Sequence, residues 1–119
     1  MKKTNTVFLI AILLSTLVVT SGFQLFKTSL RVTVLNELGN IEVKAKVVLY
    51  KTEEDYKNNQ NPVREGKTDK KGIVTFQELE VLPYYISASN GDRDNLGAGE
   101  KTELIDEGKL NRITVIISE

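Results

Sequence analysis

Short runs with apolar residues at every second position, cut by turn residues, most restrict what this chain can fold into. Leu30-Arg31-Val32-Thr33-Val34 is one such run. Val43 to Tyr50 is another, with Val43, Ala45, Val47 and Leu49 on one side and Lys44 and Lys46 on the other. A helical winding of the second run would scatter its lysines into the apolar face, whereas a strand sends alternate side chains to opposite faces. Both runs are therefore read as strands with one face buried, and the two lysines would also blunt a sheet edge. Asn36-Glu37-Leu38-Gly39-Asn40 joins them as a turn in which Gly39 takes a positive φ.

The stretch Thr68 to Ala88 organises the rest. Asp69-Lys70-Lys71-Gly72 has the residues of a β-turn, with an aspartate able to bond its own backbone and a glycine at the last position. Val74 and Phe76 then point inward from a short strand, and Leu79 covers the end of the core. After Pro83, Tyr84, Ile86 and Ala88 alternate with Tyr85, Ser87 and Ser89 as a second strand. A buried tyrosine hydroxyl in such a strand needs a partner, and a nearby loop backbone supplies it in many sandwiches.

Between these runs, Lys51 to Gly66 is long for a hairpin connection. Thr52 and Asp55 have the spacing of a capping box, which predicts one helical turn over Glu53 to Tyr56, ended by Asn58 to Pro62. Val63 to Lys67 is polar enough for an edge strand, and one that could pair with another chain. Asn90-Gly91-Asp92 turns the chain, and Arg93 to Gly108 is an acidic connection containing glycines. Ile113-Thr114-Val115-Ile116-Ile117 is nearly continuous in apolar residues, as expected of a central strand covered on both faces. The whole predicts an all-β fold: an antiparallel Greek-key β-sandwich of about seven strands.

Upstream of the strands, Lys2 and Lys3 precede an apolar run from Val7 to Val19, and Thr20-Ser21-Gly22 supplies small residues after it. This is the pattern of a secretory signal peptide over 1–22, and the run is shorter than the roughly 20 residues of a membrane span. An uncleaved anchor extended through Phe23 to Phe26 is the alternative. The expected division is a signal peptide over 1–22, a short linker over 23–29 and one domain over 30–119. Localisation is then exported: periplasmic, cell-surface or secreted.

Composition matters here chiefly by what is missing. The chain has no cysteine and no histidine, which removes disulfides, thiol nucleophiles, the commonest general base and the commonest transition-metal ligand. Sixteen basic residues balance sixteen acidic ones, so no net field favours nucleic acid. Lys70 and Lys71 are too small a basic patch to change that, and Ser87 and Ser89 have no base to activate them.

From about Leu30 to Ile117 the chain resembles the carboxypeptidase-regulatory-like domains, relatives of the transthyretin (prealbumin-like) and Cna B-type β-sandwiches. The resemblance rests on Val32-Thr33-Val34, Gly39, Ala45 to Tyr50, Thr68-Asp69-Lys70-Lys71-Gly72, Phe76-Gln77-Glu78-Leu79 and Tyr85-Ile86-Ser87-Ala88. It implies a non-catalytic module on an exported protein, serving as a stalk or as a contact to an envelope or extracellular partner. Many Cna B-type domains carry a Lys-to-Asn isopeptide crosslink. This chain offers Val34 and Leu35 where the lysine would stand, and Asn111 only at the margin of the last strand. The histidines of the transthyretin-fold hydrolases are also absent.

Three groups of side chains remain as candidate sites. Asp92, Asp94, Gly97 and Glu103 fit positions one, three, six and twelve of a calcium loop, although Leu96 stands where an oxygen ligand is required and no helices flank it. The alternative is a solvent-facing acidic connection. Glu78 and Glu80, two apart in an extended segment, share a face as acid–base carboxylates could, but the neighbouring turn reads as exposed and nothing there raises a pKa, so they are read as solvated charges. Tyr50, Tyr56, Tyr84 and Tyr85 make a sugar-stacking surface only if several converge outside the core. The expectation drawn from all this is an exported module contacting another envelope protein or a surface polymer, with no catalytic residue and no cofactor other than calcium at Asp92, Asp94 and Glu103. The alternative is a small-ligand binder, for weak calcium or for carbohydrate. Membrane contact is expected only through an uncleaved signal segment.

Overall fold

The computed structural model describes residues 27–96 and 100–119, so the signal peptide expected over 1–22 and most of the linker expected over 23–29 lie outside the described residues. Among the described residues eight strands and one short helix follow in order: β1 (Ser29–Asn36), β2 (Lys46–Tyr50), α1 (Glu53–Asn58), β3 (Arg64–Lys67), β4 (Ile73–Phe76), β5 (Tyr85–Asn90), β6 (Arg93–Asp94), β7 (Glu100–Lys101) and β8 (Leu110–Ile117). They form two sheets, one ordered β4-β1-β8 and the other β3-β2-β5-β6, with β7 also paired to β5. The result is the expected β-sandwich.

The period-two pattern builds the core directly. Leu30, Val32 and Val34 from β1, Phe76 from β4, and Val115 and Ile117 from β8 meet Val47, Leu49, Ile86 and Ala88 from the facing sheet. Tyr84, Leu79 and Ile105 close the ends of this layer. Fully burying a side chain of this size contributes about 1.5–3 kcal/mol against leaving it in water. The Asp69–Gly72 turn forms as its residues dictate: the Asp69 carboxylate accepts from the Lys71 and Ile73 N–H groups at 2.8 and 3.1 Å, and Gly72 has φ +75°. Those two backbone donors hold the Asp69 carboxyl below its ordinary pKa. In α1 the Thr52 hydroxyl accepts from Asp55 N–H at 3.1 Å, and Asn59 caps the end in the left-handed region.

Three expectations change. The second strand begins at Lys46 rather than Val43. Ile41 still bridges to Leu35, and Glu42 N–H donates to the Val34 carbonyl, so the chain remains tied to the first sheet there. It must then cross to the other sheet, and the turn at Val43-Lys44, with Lys44 at φ +61°, makes that crossing. Val43 consequently stays 41% exposed.

The last strand is not central. It lies at the edge of its sheet, and only its inner face is covered: Val115 and Ile117 are buried while Ile116 is 51% exposed. A two-layer sandwich has nothing to place over the outer face, where Ile116 stands in register with Leu35.

The third change concerns direction. Among the described residues every strand pairing is antiparallel except that of β1 with β8, which runs parallel over Ser29–Asn36 and Leu110–Ile117. The connection read as irregular from Arg93 to Gly108 also contributes β6 and β7, both laid along the outer edge of β5.

Candidate functional site

The calcium candidates are not brought together. Asp92 sits in the β5–β6 turn, Asp94 lies in β6 with its carboxylate accepting from Leu96 N–H, and Glu103 follows β7 on an exposed segment. Among the described residues no three acidic side chains converge in a way that could hold a metal ion. Gly97, the sixth position of that loop, is outside the described residues.

Glu78 and Glu80 part company as well. Glu78 pairs with Lys27 at 2.6 Å, and Glu80 with Lys51 at 3.4 Å, all four exposed. The Lys27 ammonium, by hydrogen bond and by charge, lowers the Glu78 pKa. That is opposite to what a general acid needs. Surface pairs of this kind add little to stability.

The tyrosines divide between two layers. Tyr84 is fully buried, and its hydroxyl donates to the Glu80 carbonyl at 2.7 Å, the loop-backbone partner expected of it. Tyr50 and Tyr56 meet edge to face at 6.0 Å on the outside of the second sheet, beside Val48 and Tyr85. There α1 packs its own Tyr56 onto the sheet: Tyr50 and Tyr56 are both buried, and burial raises the pKa of each. Tyr85 is half-buried beneath the Lys101 ammonium, 5.1 Å from its ring centroid. These rings act as a second small core, and no open stacking surface results.

What sequence reasoning missed is how the buried polar side chains are used. The Asn95 amide accepts from Ala88 N–H at 2.9 Å and donates to the Ile86 carbonyl at 2.8 Å, filling the gap between β6 and β7 along β5. The Thr102 hydroxyl accepts from Tyr84 N–H, and the Thr68 hydroxyl bonds Ala45 N–H and the Glu42 carbonyl. Each side chain takes the place of a missing strand neighbour, because buried backbone groups left unpaired are costly. Asn111 does the same at the start of β8, donating to the Ser29 and Asp106 carbonyls.

Glu42 is a further buried charge, bonded by the Asn90 amide at 2.8 Å and the Arg93 guanidinium at 2.7 Å. Asn90 foremost, and Arg93 after it, hold the Glu42 carboxyl below its ordinary pKa of 4.5 against the opposing pull of burial. In the pH range between the folded and unfolded pKa the unfolded chain binds more protons. The stabilisation is therefore complete above about pH 4.5 and is lost as pH falls through the lower folded value. Glu42→Gln is expected to cost about 1–2 kcal/mol at pH 7 and progressively less as pH falls below about 4.5. Urea midpoints of both proteins across that range check it, and a pH-independent difference would reject it.

The outer face of β4-β1-β8 is the feature with no structural employment. Across it, Arg31 of β1 stands in register with Arg112 of β8, and Thr33 with Thr114. Neither arginine has a carboxylate partner among the described residues, and Arg31 Nε is buried without a hydrogen bond. Like charges side by side on adjacent strands are destabilising.

Beside this face runs the free edge of β8. Ser29 N–H donates to the Lys109 carbonyl on one side, and Ser118 exchanges two bonds with Asp94 on the other. By the alternation of a parallel ladder, Leu110, Arg112, Thr114 and Ile116 turn their N–H and C=O groups away from β1. No described residue bonds those groups. Along the first half of this edge lies a groove of about 360 Å³, floored by Leu30, Ile105 and Ile113 and walled by the segment Lys101 to Asp106. By contrast the other sheet's edge, β3, carries Arg64, Glu65 and Lys67, charges that discourage pairing.

No helix among the described residues is long and apolar enough to cross a membrane. The sequence matches no family model and no curated protein. Among solved structures the chain is similar to the Bacillus anthracis TIE protein, with a TM-score of 0.54 and 20% identity over 76% of this chain and 16% of that one. It aligns less well with the major pilin subunit of Bacillus cereus, at TM-score 0.48 and 15% identity over 79% of this chain and 30% of the pilin, which adds nothing to the fold assignment. The chain thus spans less than a third of either protein. The likeness concerns the fold alone, a β-sandwich.

Proposed function

We propose that this chain is an exported, non-catalytic β-sandwich that works by contacting another envelope or extracellular protein, a module of the carboxypeptidase-regulatory-like kind. The observation that carries the reading is the contrast between its polar groups and its edge. Asn95, Thr68, Thr102, Asn111 and Glu42 are all spent holding backbone or one another. The β8 edge and the arginines next to it are spent on nothing. The Lys2-Lys3 start and the Val7–Val19 run support export, and the similarity to a domain-sized part of a larger Bacillus anthracis protein suits a module.

Affinity capture of the full-length protein from fractionated cells after in-cell crosslinking, with the intact mass of the recovered chain, tests it. The expected result is a chain starting near Phe23 crosslinked to one reproducible envelope or extracellular protein. Recovery of the chain uncrosslinked, or from the cytoplasmic fraction, would overturn the reading.

A further inference from the structure

We propose that β8 accepts an extended segment of a partner polypeptide as a fourth strand of the β4-β1-β8 sheet, with an acidic residue of that segment opposite Arg112. The inference rests on the contact function above and specifies the chemistry of the contact. An edge with four successive outward-turned residues, Leu110, Arg112, Thr114 and Ile116, offers backbone groups that an extended peptide satisfies as a strand. Pairing stops beyond Ile116 because Asp94 already occupies Ser118. The site is thus seven residues long.

Charge selects the occupant. Arg112 and Arg31 lie side by side without a carboxylate among the described residues, so an acid across from Arg112 relieves a repulsion as well as forming a pair. Four residues along, Ile116 and its register neighbour Leu35 call for an apolar side chain on the same face. On the inner face, the residue opposite Ile113 enters the groove between Ile113 and Ile105 and is also apolar.

A second copy of this chain fits less well. Antiparallel self-pairing that uses all four outward residues sets Leu110 across from Ile116 and Arg112 across from Thr114. The two Arg112 side chains then become diagonal neighbours, each beside its own Arg31, and four positive charges gather. The groove wall from Lys101 to Asp106 also stands where the second sheet would continue.

The probe is a labelled heptapeptide, Ile-Thr-Thr-Val-Glu-Thr-Val, which in antiparallel register places its glutamate opposite Arg112 and its isoleucine opposite Ile116. With the exported full chain we expect saturable binding, with amide exchange slowed at Arg112, Thr114 and Ile116. The amides of Ile113 and Val115, already bonded to β1, should change little. Arg112→Glu should weaken binding about tenfold or more, and a peptide carrying lysine in place of its glutamate should recover the loss. Thr114→Pro removes an outward N–H that β1 does not use, so the fold should persist while binding is lost.

Three results would each overturn the proposal: no saturation at millimolar peptide, equal binding by the Arg112→Glu protein, or self-association that protects the same amides. If the Arg112→Glu chain still captures its envelope partner as well as the wild type, the strand-addition site fails while the contact function stands.

Discussion

Replacing Asn95 with leucine is expected to lower the unfolding free energy by about 3 kcal/mol, the largest loss anticipated for any single polar side chain of the domain. Asn95 is 2% exposed and uses both ends of its amide on the backbone of β5. Leucine keeps the volume but leaves Ala88 N–H and the Ile86 carbonyl buried without partners. Each such orphan costs about 1–3 kcal/mol. For a domain of this size that corresponds to a fall in Tm of about 15 °C. Asn95→Asp keeps the acceptor for Ala88 N–H but at neutral pH sets a buried carboxylate against the Ile86 carbonyl, so it should cost at least as much as leucine. Thermal and urea unfolding measure both. A change below about 0.5 kcal/mol would mean that water or the neighbouring loop replaces the amide, and that Asn95 is not what holds the β5 backbone.

The second large effect is expected at a turn. Gly72 has φ +75°, and a Cβ added there would lie 2.9 Å from Ile41 Cβ and 3.2 Å from the Val34 carbonyl oxygen. Gly91 has a similar φ of +63° but open space around it. Alanine at either position incurs the left-handed penalty of about 1–2 kcal/mol. Only at Gly72 must the β1–β2 loop also shift, since Val34 is held there by a bond from its N–H to the Gly72 carbonyl and the backbone cannot yield freely. Gly72→Ala should therefore cost about 2–4 kcal/mol and Gly91→Ala about 1 kcal/mol. Equal losses in parallel urea titrations would show that the contact with Ile41 relaxes without penalty.

Local chemistry was readable from the sequence wherever a few adjacent residues settle the outcome. Thr52 and Asp55 announce the cap of α1, Asp69 and Gly72 their turn, and Tyr84-Ile86-Ala88 the inward face of β5. The features missed depend on residues far apart in the chain. Val43 looks like the start of a strand because nothing nearby shows that Glu42 is still bonded to Val34. Ile113 to Ile117 looks central because an apolar run is the same whether one face or two is covered, and the distinction lies in whether another layer packs over the sheet. The direction of β8 relative to β1 leaves no mark on either strand.

The candidate surface was less legible still. Asp92, Asp94 and Glu103 caught the eye through their spacing, yet spacing along a loop says little when two short strands pin parts of it to β5. Arg31 and Arg112 are 81 residues apart and look like ordinary outward positions of two strands. Only the parallel register sets them side by side. Asn95 gave no signal either, since an asparagine in an acidic connection reads as solvated.

That same parallel register has a mechanical meaning. Tension applied across the sandwich through the chain ahead of β1 and the chain beyond β8 pulls the two strands along their length in opposite directions. Eight register pairs, from Ser29 with Leu110 to Asn36 with Ile117, then bear the load together in shear instead of peeling apart one after another. A sandwich whose first and last strands were antiparallel neighbours would open like a zipper under the same pull.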